Sequence, residues 1–325
     1  MIQSVITFDD ILKPVIWGGT RIAAFKGIEC DDHHIGESWE VSPMMGQESI
    51  VSNGPLKGMS LSRIVDEFGR EILGDRVFEK RGGRFPLLIK FIDSNDDLSI
   101  QVHPDDELAR KRHNSLGKNE MWYSVAPAEG AYLYAGFSRR VTPDEFRRQI
   151  ADHSLIGSLN KFMVKPGDVF YLPAGRVHSI GRGNFVLEIQ EASDITYRIY
   201  DYGRIGADGK PRQLHVEESL GAIDFNDVGM TSVNVEPRRG EFTVLHNCRY
   251  FNTSVAEIDR PTAMPLATGE SFTVVISILG SVVLTDGQGC AYTLHQGQSA
   301  LIPASVAALT ATPTAATVRI VAVTC

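Results

Sequence analysis

The chain has 325 residues, 43% of them hydrophobic and 22% charged, which is ordinary for a soluble globular protein with one large domain or two of average size. Its formal net charge of -8 argues against nucleic acid and anionic membranes as partners, because both require a basic protein surface. The four cysteines are scattered without a C-x-x-C pair, so they indicate neither a thiolate zinc site nor a dithiol redox motif.

Nothing near the N-terminus predicts export. The first ten residues lack the basic region of a signal peptide and become acidic at Asp9 and Asp10. The most apolar window, residues 273–285, is too short to span a bilayer and is interrupted at Gly280. We therefore expect a cytoplasmic protein with reduced cysteines and no membrane partner. Its oligomeric state stays open between monomer and homodimer.

The first half of the chain alternates short strands with two longer helical segments. Up to about residue 53 the pattern is one of strands and turns, and residues 60–74 carry apolar side chains at helical spacing. Thr142, followed by Pro143 and acidic residues, predicts the start of a second helix that extends to about residue 159. The elements predicted between these helices are strands at 98–103, 117–125 and 132–137 and a short helix from Pro104 to Asn114.

Beyond residue 165 the pattern changes to short strands separated by turns. Residues 226–240 are polar without an apolar period and form the predicted linker. The sequence thus predicts a mainly β fold with a few helices and two domains, residues 1–225 and 226–325, with N-terminal strands that can join either domain. The strands predicted here lie within 165–178 and at 185–190, 195–200, 242–245, 250–258, 271–279, 282–285, 291–294 and 299–302, and one brief helix lies at 215–220.

An internal near-repeat favours a duplicated fold. Residues 165–178 align without gaps with residues 295–308, and both segments contain a glycine turn, a short strand and an apolar-Pro-Ala step. The alternative is that turn–strand–turn patterns recur by chance in all-β chains. We interpret the repeat as two jelly-roll β-barrels. Because Ala308 occupies the position of His178, we expect the second barrel to bind no metal.

The strand that ends at Pro104 places three polar side chains on one face. Side chains alternate along a strand, so Ser99, Gln101 and His103 point one way while the apolar residues between them point to the core. A polar row of this kind is costly to bury without partners. We therefore expect it to face a cleft, a ligand or a metal ion.

Nitrogen and oxygen ligands for a divalent ion are available on the predicted strands. The absence of sulfur among them disfavours a purely structural zinc site. Each residue also has a simpler explanation, since a histidine on a strand is more often a hydrogen-bonded residue at the rim and a glutamate is often solvated. The candidate metal ligands are Gln101, His103, Glu120 and His178.

Basic residues surround these candidate ligands in the predicted fold. The simplest explanation for them is surface salt bridges, the usual role of Lys and Arg. A basic cluster beside a metal in an acidic protein would instead suit a phosphorylated substrate. The residues concerned are Lys90, Lys118, Arg198 and Arg204.

Five segments carry a resemblance to a known enzyme family. The chain resembles the type I mannose-6-phosphate isomerases (phosphomannose isomerases), in particular their short bacterial class, which belongs to the cupin superfamily. The resemblance extends from about residue 17 to residue 220 and more loosely beyond. The segments are Leu-Leu-Ile-Lys at 87–90, Leu-Ser-Ile-Gln-Val-His-Pro-Asp-Asp at 98–106, Gly-Lys-Asn-Glu-Met-Trp-Tyr at 117–123, Leu-Pro-Ala-Gly-Arg-Val-His at 172–178 and Ser-Asp-Ile-Thr-Tyr-Arg at 193–198.

The resemblance implies a cupin fold and a zinc-dependent interconversion of mannose 6-phosphate and fructose 6-phosphate through an enediol. It also implies one Zn²⁺ per chain, because the family's metal ligands fall on the four candidate ligands named above. Asn119 stands where a threonine is expected, a change that we expect to be neutral, and Arg204 stands where some relatives have lysine. The family's substrate-binding and catalytic positions fall on Ser99, Lys118, Glu188, Arg198, Lys90 and Arg204.

These residues fit aldose–ketose isomerisation, which moves a proton between two adjacent carbons. A bound ion would polarise the sugar oxygens, and with four protein ligands it must expand its coordination to admit one of them. Glu188 is favoured as the base, with Lys118 as the alternative, and Arg198 would stabilise the developing oxyanion or orient the sugar. Ser99 and the lysines would hold the phosphate. Two other functions stay open: a non-catalytic bicupin that binds sugar phosphates, and an iron-dependent cupin oxygenase.

Overall fold

The computed structural model describes residues 2–30, 34–206, 209–229 and 232–325. Two helices of the first half of the chain begin at the residues that helix-capping chemistry predicts. The side chains of Asp105 and Thr142 accept hydrogen bonds from the backbone N–H three residues later, and Pro143 opens its helix. The helices are α1 (Arg21–Lys26), α2 (Leu61–Leu73), α3 (Asp75–Arg81), α4 (Asp106–His113), α5 (Pro143–Ala151) and α6 (Val216–Leu220), with a 3₁₀-helix at Leu155–Ser158.

Strands make up most of the regular structure in these residues, as the sequence predicts. The strands are β1 (Ile6–Thr7), β2 (Ile11–Gly19), β3 (Ile35–Val41), β4 (Leu87–Asp93), β5 (Ile100–Val102), β6 (Glu120–Ser124), β7 (Tyr132–Phe137), β8 (Leu159–Met163), β9 (Asp168–Leu172), β10 (His178–Ile180), β11 (Phe185–Glu191), β12 (Tyr197–Tyr200), β13 (Val233–Asn234), β14 (Thr243–Asn247), β15 (Asn252–Ile258), β16 (Thr262–Ala263), β17 (Thr273–Leu279), β18 (Val282–Asp286), β19 (Ala291–Leu294), β20 (Ser299–Ile302), β21 (Leu309–Pro313) and β22 (Val318–Thr324).

The strands form four sheets that stack in two pairs. A seven-stranded sheet, in the order β13-β9-β6-β11-β4-β3-β2, packs on a five-stranded sheet, β12-β5-β10-β7-β8. A six-stranded sheet, β1-β20-β17-β22-β15-β14, packs on a four-stranded sheet, β16-β21-β18-β19. Each pair is a cupin-type jelly roll built from two sheets rather than from one closed sheet. The fold class predicted from sequence is confirmed.

Three apolar layers hold the four sheets together. One lies inside the first pair of sheets, where Trp122 and Val186 of the seven-stranded sheet meet Leu133 and Ile180 of the five-stranded sheet. A second lies inside the other pair. The third and largest lies between the seven-stranded and six-stranded sheets and also takes in α2 and α3. The outer face of the seven-stranded sheet is therefore covered by the C-terminal half of the chain rather than by water.

The near-repeat occupies equivalent places in the two pairs of sheets. In the first pair the chain passes from β9 to β10, and in the second pair from β20 to β21. Each time it crosses from the larger sheet to the smaller one through a Pro-Ala turn. The crossing places His178 at the start of β10, whereas Ala308 directly precedes β21.

The linker and the C-terminal region differ from the prediction. Val233–Asn234, within the predicted linker 226–240, forms β13 and pairs with β9, while residues 230 and 231 lie outside the described part of the chain. Strands β21 and β22 were not predicted, although β22 is an inner strand of the six-stranded sheet. The domain boundary between residues 225 and 226 stays a prediction. No helix among the described residues is long and apolar enough to cross a membrane.

Candidate metal and substrate site

Three neighbouring strands of the five-stranded sheet position one side of the candidate site. His178 on β10 and Arg198 on β12 are both paired with Gln101 on β5, one from each side. Opposite residues in an antiparallel pair have Cβ atoms about 5 Å apart, so these three side chains form a row across the sheet. His103 follows the last residue of β5, and Glu120 begins β6 in the facing sheet.

The candidate ligands come together in the interior. His103, Glu120 and His178 are fully buried, and one ligand atom from each lies within 4.8 Å of the others. His178 Nε2 lies 3.1 Å from Glu120 Oε1, and His103 Nε2 lies 3.5 Å from Glu120 Oε2. The Gln101 amide nitrogen lies 3.4 Å from His178 Nε2, and a half-turn of this amide brings its oxygen to the same position.

Backbone carbonyls orient both imidazole rings. Nδ1 of His103 lies 2.8 Å from the carbonyl oxygen of Ile195, and Nδ1 of His178 lies 2.8 Å from that of Arg176. A carbonyl oxygen only accepts hydrogen bonds, so each Nδ1 carries the proton and donates it. Both Nε2 atoms are therefore directed into the cluster. A hydrogen-bonded Nδ1 of this kind fixes the orientation of metal-ligating histidines.

The charges in the cluster favour metal-binding protonation states. Burial, with Lys118 nearby, holds the pKa of His103 well below its ordinary value, so the ring is neutral. Burial alone would raise the pKa of Glu120, but Lys118 and the two imidazoles hold it well below the ordinary value, so the carboxylate is ionised. Lys118 Nζ lies 2.7 Å from Glu120 Oε2 and 3.1 Å from His103 Nε2.

The donor set fits a divalent ion. Within the described part of the chain, neither oxygen of the buried Glu120 has a partner in hydrogen-bonding geometry, although Lys118 lies at ion-pair distance. Buried carboxylate oxygens without hydrogen bonds are costly, and metal coordination satisfies them. Two imidazoles, one carboxylate and one amide oxygen are ligands that zinc and similar ions accept.

A cavity beside this cluster contains most of the predicted substrate-binding residues. It is lined by Lys90, Ser99, Lys118, Glu188 and Arg198 as well as by Gln101. Trp17, Glu37, Thr196 and Arg212 complete the polar part of its wall. The sequence-predicted residues Ser99, Lys118 and Glu188 are buried, so they face this cavity rather than bulk solvent.

Glu188 is held at both oxygens. Trp122 Nε1 donates to Glu188 Oε1 at 2.8 Å, and Lys90 Nζ lies 3.0 Å from Glu188 Oε2. Lys90 also lies 3.8 Å from Glu37 Oε2, and these carboxylates raise the pKa of its ammonium although burial opposes them. The indole of Trp122 was not predicted from sequence. Its position two residues after Glu120 on one strand was the signal, because i and i+2 share a face.

Arg212 lines the cavity, whereas the predicted Arg204 does not. Arg204 does not line the cavity, since its guanidinium donates to the carbonyl oxygen of Asp97 and to Asp201 Oδ1. Arg212, which was not singled out from sequence, lines the cavity instead. It lies in an irregular segment before α6, where no periodic pattern shows which way a side chain points.

Asn119 stands where a threonine was expected, and its side-chain amide makes two hydrogen bonds beside the site. Its Nδ2 donates to Glu191 Oε2 at 2.8 Å, and its Oδ1 accepts from the backbone N–H of Ala174 at 3.0 Å. Burial raises the pKa of Glu191 to about 7. Asn119 thereby joins the start of β6 to the Pro-Ala-Gly turn that precedes His178.

Comparisons with known proteins agree with this geometry. Residues 6–127 match the family model of the type I phosphomannose isomerase catalytic domain, and residues 241–322 match the mannose-6-phosphate isomerase cupin domain. Mannose-6-phosphate isomerase ManA of Bacillus subtilis is 35% identical over 93% of this chain and 94% of its own length. A mannose-6-phosphate isomerase of Streptococcus mutans is 33% identical over 90% of each chain.

Solved structures give the same result. The crystal structure of the Bacillus subtilis mannose 6-phosphate isomerase is 31% identical and matches 99% of both chains with a TM-score of 0.86. The structure of a putative mannosephosphate isomerase from Archaeoglobus fulgidus matches 99% of this chain and 97% of its own with a TM-score of 0.80. At 24% identity the second structure supports the fold alone.

Proposed function

The chain belongs to the mannose-6-phosphate isomerase family, an enzyme family, and from this premise we propose that it interconverts mannose 6-phosphate and fructose 6-phosphate through an enediol. The observation that carries the proposal is the buried His103–Glu120–His178 cluster, which borders a cavity that contains both a carboxylate and several cations. We further propose one zinc ion per chain and a cytoplasmic location, with which the four free cysteines are consistent.

Gln101, His103, Glu120 and His178 would hold the metal ion. When bound, it would polarise the carbonyl and hydroxyl oxygens of the sugar. The protein's own groups would orient the sugar and move the proton.

Glu188 is the proposed base. The hydrogen bond from Trp122 fixes Oε1, and Oε2 has no partner in hydrogen-bonding geometry among the described residues, although Lys90 lies near it. This oxygen can take a proton from one sugar carbon and return it to the next. Lys118 is the second candidate, and its Nζ lies 2.7 Å from Glu120 Oε2, in an ion pair with a proposed metal ligand.

The phosphate is the proposed partner of the cations in the cavity wall. Ser99 and Lys90 line the cavity, and we propose that both contact the substrate. Lys90 is already paired with Glu188, so it also positions the proposed base. Arg204 stays a predicted substrate contact, although its guanidinium donates to Asp201 and Asp97.

No observation favours the other two functions. An iron-dependent oxygenase needs only the metal and its histidine and carboxylate ligands, and it gives no role to Glu188 with its hydrogen bond from Trp122. A non-catalytic bicupin would explain the basic cavity but not the carboxylate held inside it.

Isomerase activity and metal content test the proposal together. We expect the purified protein to convert mannose 6-phosphate to fructose 6-phosphate and to contain one zinc ion per chain by elemental analysis. Chelation should remove both the ion and the activity, and added Zn²⁺ should restore both. His103→Ala should lose the ion. Oxygen consumption in place of isomerisation, or full activity in the metal-free protein, would contradict the proposal.

Arg198→Ala separates three possible roles of this arginine. Arg198 lines the cavity, and its Nη1 donates to the carbonyl oxygen of Gln213 at 3.0 Å. If it stabilises charge at the sugar oxygens, kcat should fall by about 10²- to 10³-fold with unchanged zinc content. A phosphate contact would instead raise KM, and a residue outside the site would change neither. The exposed Arg147, in Arg147→Ala, is the control.

A further inference from the structure

Arg212 lines the cavity but has no part in the reaction proposed so far. The segment that carries it runs alongside Arg198. The backbone N–H of His215 donates to the carbonyl oxygen of Arg198 at 2.7 Å, and the backbone N–H of Arg198 donates to His215 Nδ1 at 3.2 Å. Together with the bond from Arg198 to Gln213, these contacts fix the segment against β12 and bring Arg212 to the same cavity.

One carboxylate sets the orientation of the Arg212 guanidinium. Its Nε donates to Asp201 Oδ2 at 2.8 Å, and its Nη2 donates to Asp201 Oδ1 at 2.5 Å. A two-point contact of this kind holds the planar guanidinium rigidly. Within the described ranges, Nη1 of Arg212 donates no hydrogen bond. The side chain is about a quarter exposed and lines the cavity.

Positive charge exceeds negative charge at this end of the cavity. Arg198 and Arg212 line the cavity, and Arg204, which lies outside its wall, pairs with the same Asp201 carboxylate as Arg212. These three cations share one carboxylate, which leaves a surplus of two charges. In the rest of the cavity each cation has a carboxylate partner. Lys90 pairs with Glu188 and Glu37, and Lys118 pairs with Glu120.

The arginines also repel one another. Burial lowers the pKa of Arg198, and the charge of Arg212 lowers it further. A phosphate monoester carries about -1.5 to -2 charges at neutral pH, so it would neutralise the surplus and relieve this repulsion.

We propose that Arg212, held in place by Asp201, binds the phosphate group of the sugar phosphate and gives the site its preference for phosphorylated over free sugar. The proposal rests on the proposed function and deepens it. Arg212 acts on substrate binding rather than on turnover. Asp201 is a positioning residue, since it touches the arginines rather than the substrate.

Arg212→Gln tests the assignment through the split between binding and turnover. Loss of one charge-assisted donor should raise the calorimetric Kd and the KM for mannose 6-phosphate by about 10- to 100-fold, with kcat largely unchanged. Inhibition by unphosphorylated mannose and the zinc content should not change. Arg212→Lys keeps the charge without the two-point contact to Asp201, so it should recover part of the affinity.

Arg147→Gln is the matched control, because Arg147 makes a similar two-point contact with Glu217 on the surface, away from the cavity. Mannose 6-phosphate affinity lost only in Arg212→Gln supports the proposal. If Arg204→Gln loses affinity for mannose 6-phosphate and Arg212→Gln does not, the proposal is overturned. It is also overturned if Arg212→Gln loses affinity for free mannose to the same extent. Wild-type protein that binds mannose 6-phosphate without isomerising it would refute the proposed function, while the binding measurements still decide the role of Arg212. Wild-type protein that does not bind it would overturn both.

Discussion

Glu188→Gln is expected to lower kcat for mannose 6-phosphate by about 10²- to 10⁴-fold, the usual effect of losing a general base. The substitution keeps the size of the side chain and its oxygen acceptor, so the hydrogen bond from Trp122 at 2.8 Å can persist. The amide cannot take a proton from a sugar carbon. Zinc content and the Kd for mannose 6-phosphate should stay close to those of the wild type, since Glu188 is not one of the proposed ligands.

Glu37→Gln is the comparison for this experiment. Glu37 lines the same cavity and lies 3.8 Å from Lys90, so it shares that partner with Glu188. Its Oε2 accepts a hydrogen bond from Trp39 rather than Trp122. We expect a much smaller loss of turnover in Glu37→Gln. Equal losses in the two variants would show that Glu188 acts only through Lys90, and a fully active Glu188→Gln would transfer the role of base to Lys118.

Lys26→Met is expected to lower the free energy of unfolding by about 3–5 kcal/mol, the usual cost of leaving a buried charge without its partner. Lys26 ends α1, and its ammonium lies 2.6 Å from Glu40 Oε1, 2.8 Å from Asp10 Oδ1 and 2.6 Å from the carbonyl oxygen of Gly297. Lys26 and Glu40 are buried. The ammonium therefore joins the first pair of sheets to the turn before β20.

The loss of stability should depend on pH. Burial raises the pKa of Glu40 above its ordinary value even with Lys26 present, and without the ammonium it should rise further. A carboxyl whose pKa is higher in the folded state stabilises the fold at low pH, and this stabilisation is lost as pH rises through the folded-state pKa. The difference between variant and wild type should thus be smaller at about pH 5 than at about pH 8.

Urea unfolding monitored by circular dichroism measures this difference. Arg70→Met is the control, because Arg70 pairs with Asp75 on the surface, where solvent screens the pair and its contribution to stability is small. The double variant Lys26→Met/Glu40→Leu should regain most of the lost stability, since buried ion pairs are often replaceable by apolar residues. A single variant as stable as Arg70→Met would mean that Glu40 is protonated in the native protein.

The strand alternation around Gln101 and His103 was sufficient to predict from sequence which residues share a face. Alternation does not indicate which distant strands meet, because pairing depends on contacts between residues far apart in the chain. The grouping of Glu120 with His178 was therefore proposed from their residue types on predicted strands, and the resemblance placed the family's ligands on the same positions. Arg212 was not predicted for the same reason, since its place in the cavity depends on how an irregular segment docks on Arg198.

The contacts that join the two halves of the molecule had no signal in the sequence. Lys26 and Glu40 are ordinary charged residues until the fold buries them against Gly297. The boundary proposed from composition lies between residues 225 and 226, with N-terminal strands free to join either domain, and strand β1 belongs to the six-stranded sheet. Strand β13, beyond that boundary, pairs in the seven-stranded sheet. Amino-acid composition shows only how polar a segment is, whereas the sheet that a strand joins depends on which distant strand it pairs with.

The pairing of β1 with β20 has a consequence for biosynthesis. Ile6 lies opposite Leu301, about 300 residues further along the chain. At about 5–20 amino acids added per second, a ribosome needs roughly 15–60 s to make the partner of a strand that left the exit tunnel first. During this interval the apolar face that the C-terminal half later covers stays open to other nascent chains. This apolar face is therefore covered, and no longer available for aggregation, only after the last part of the chain has been translated.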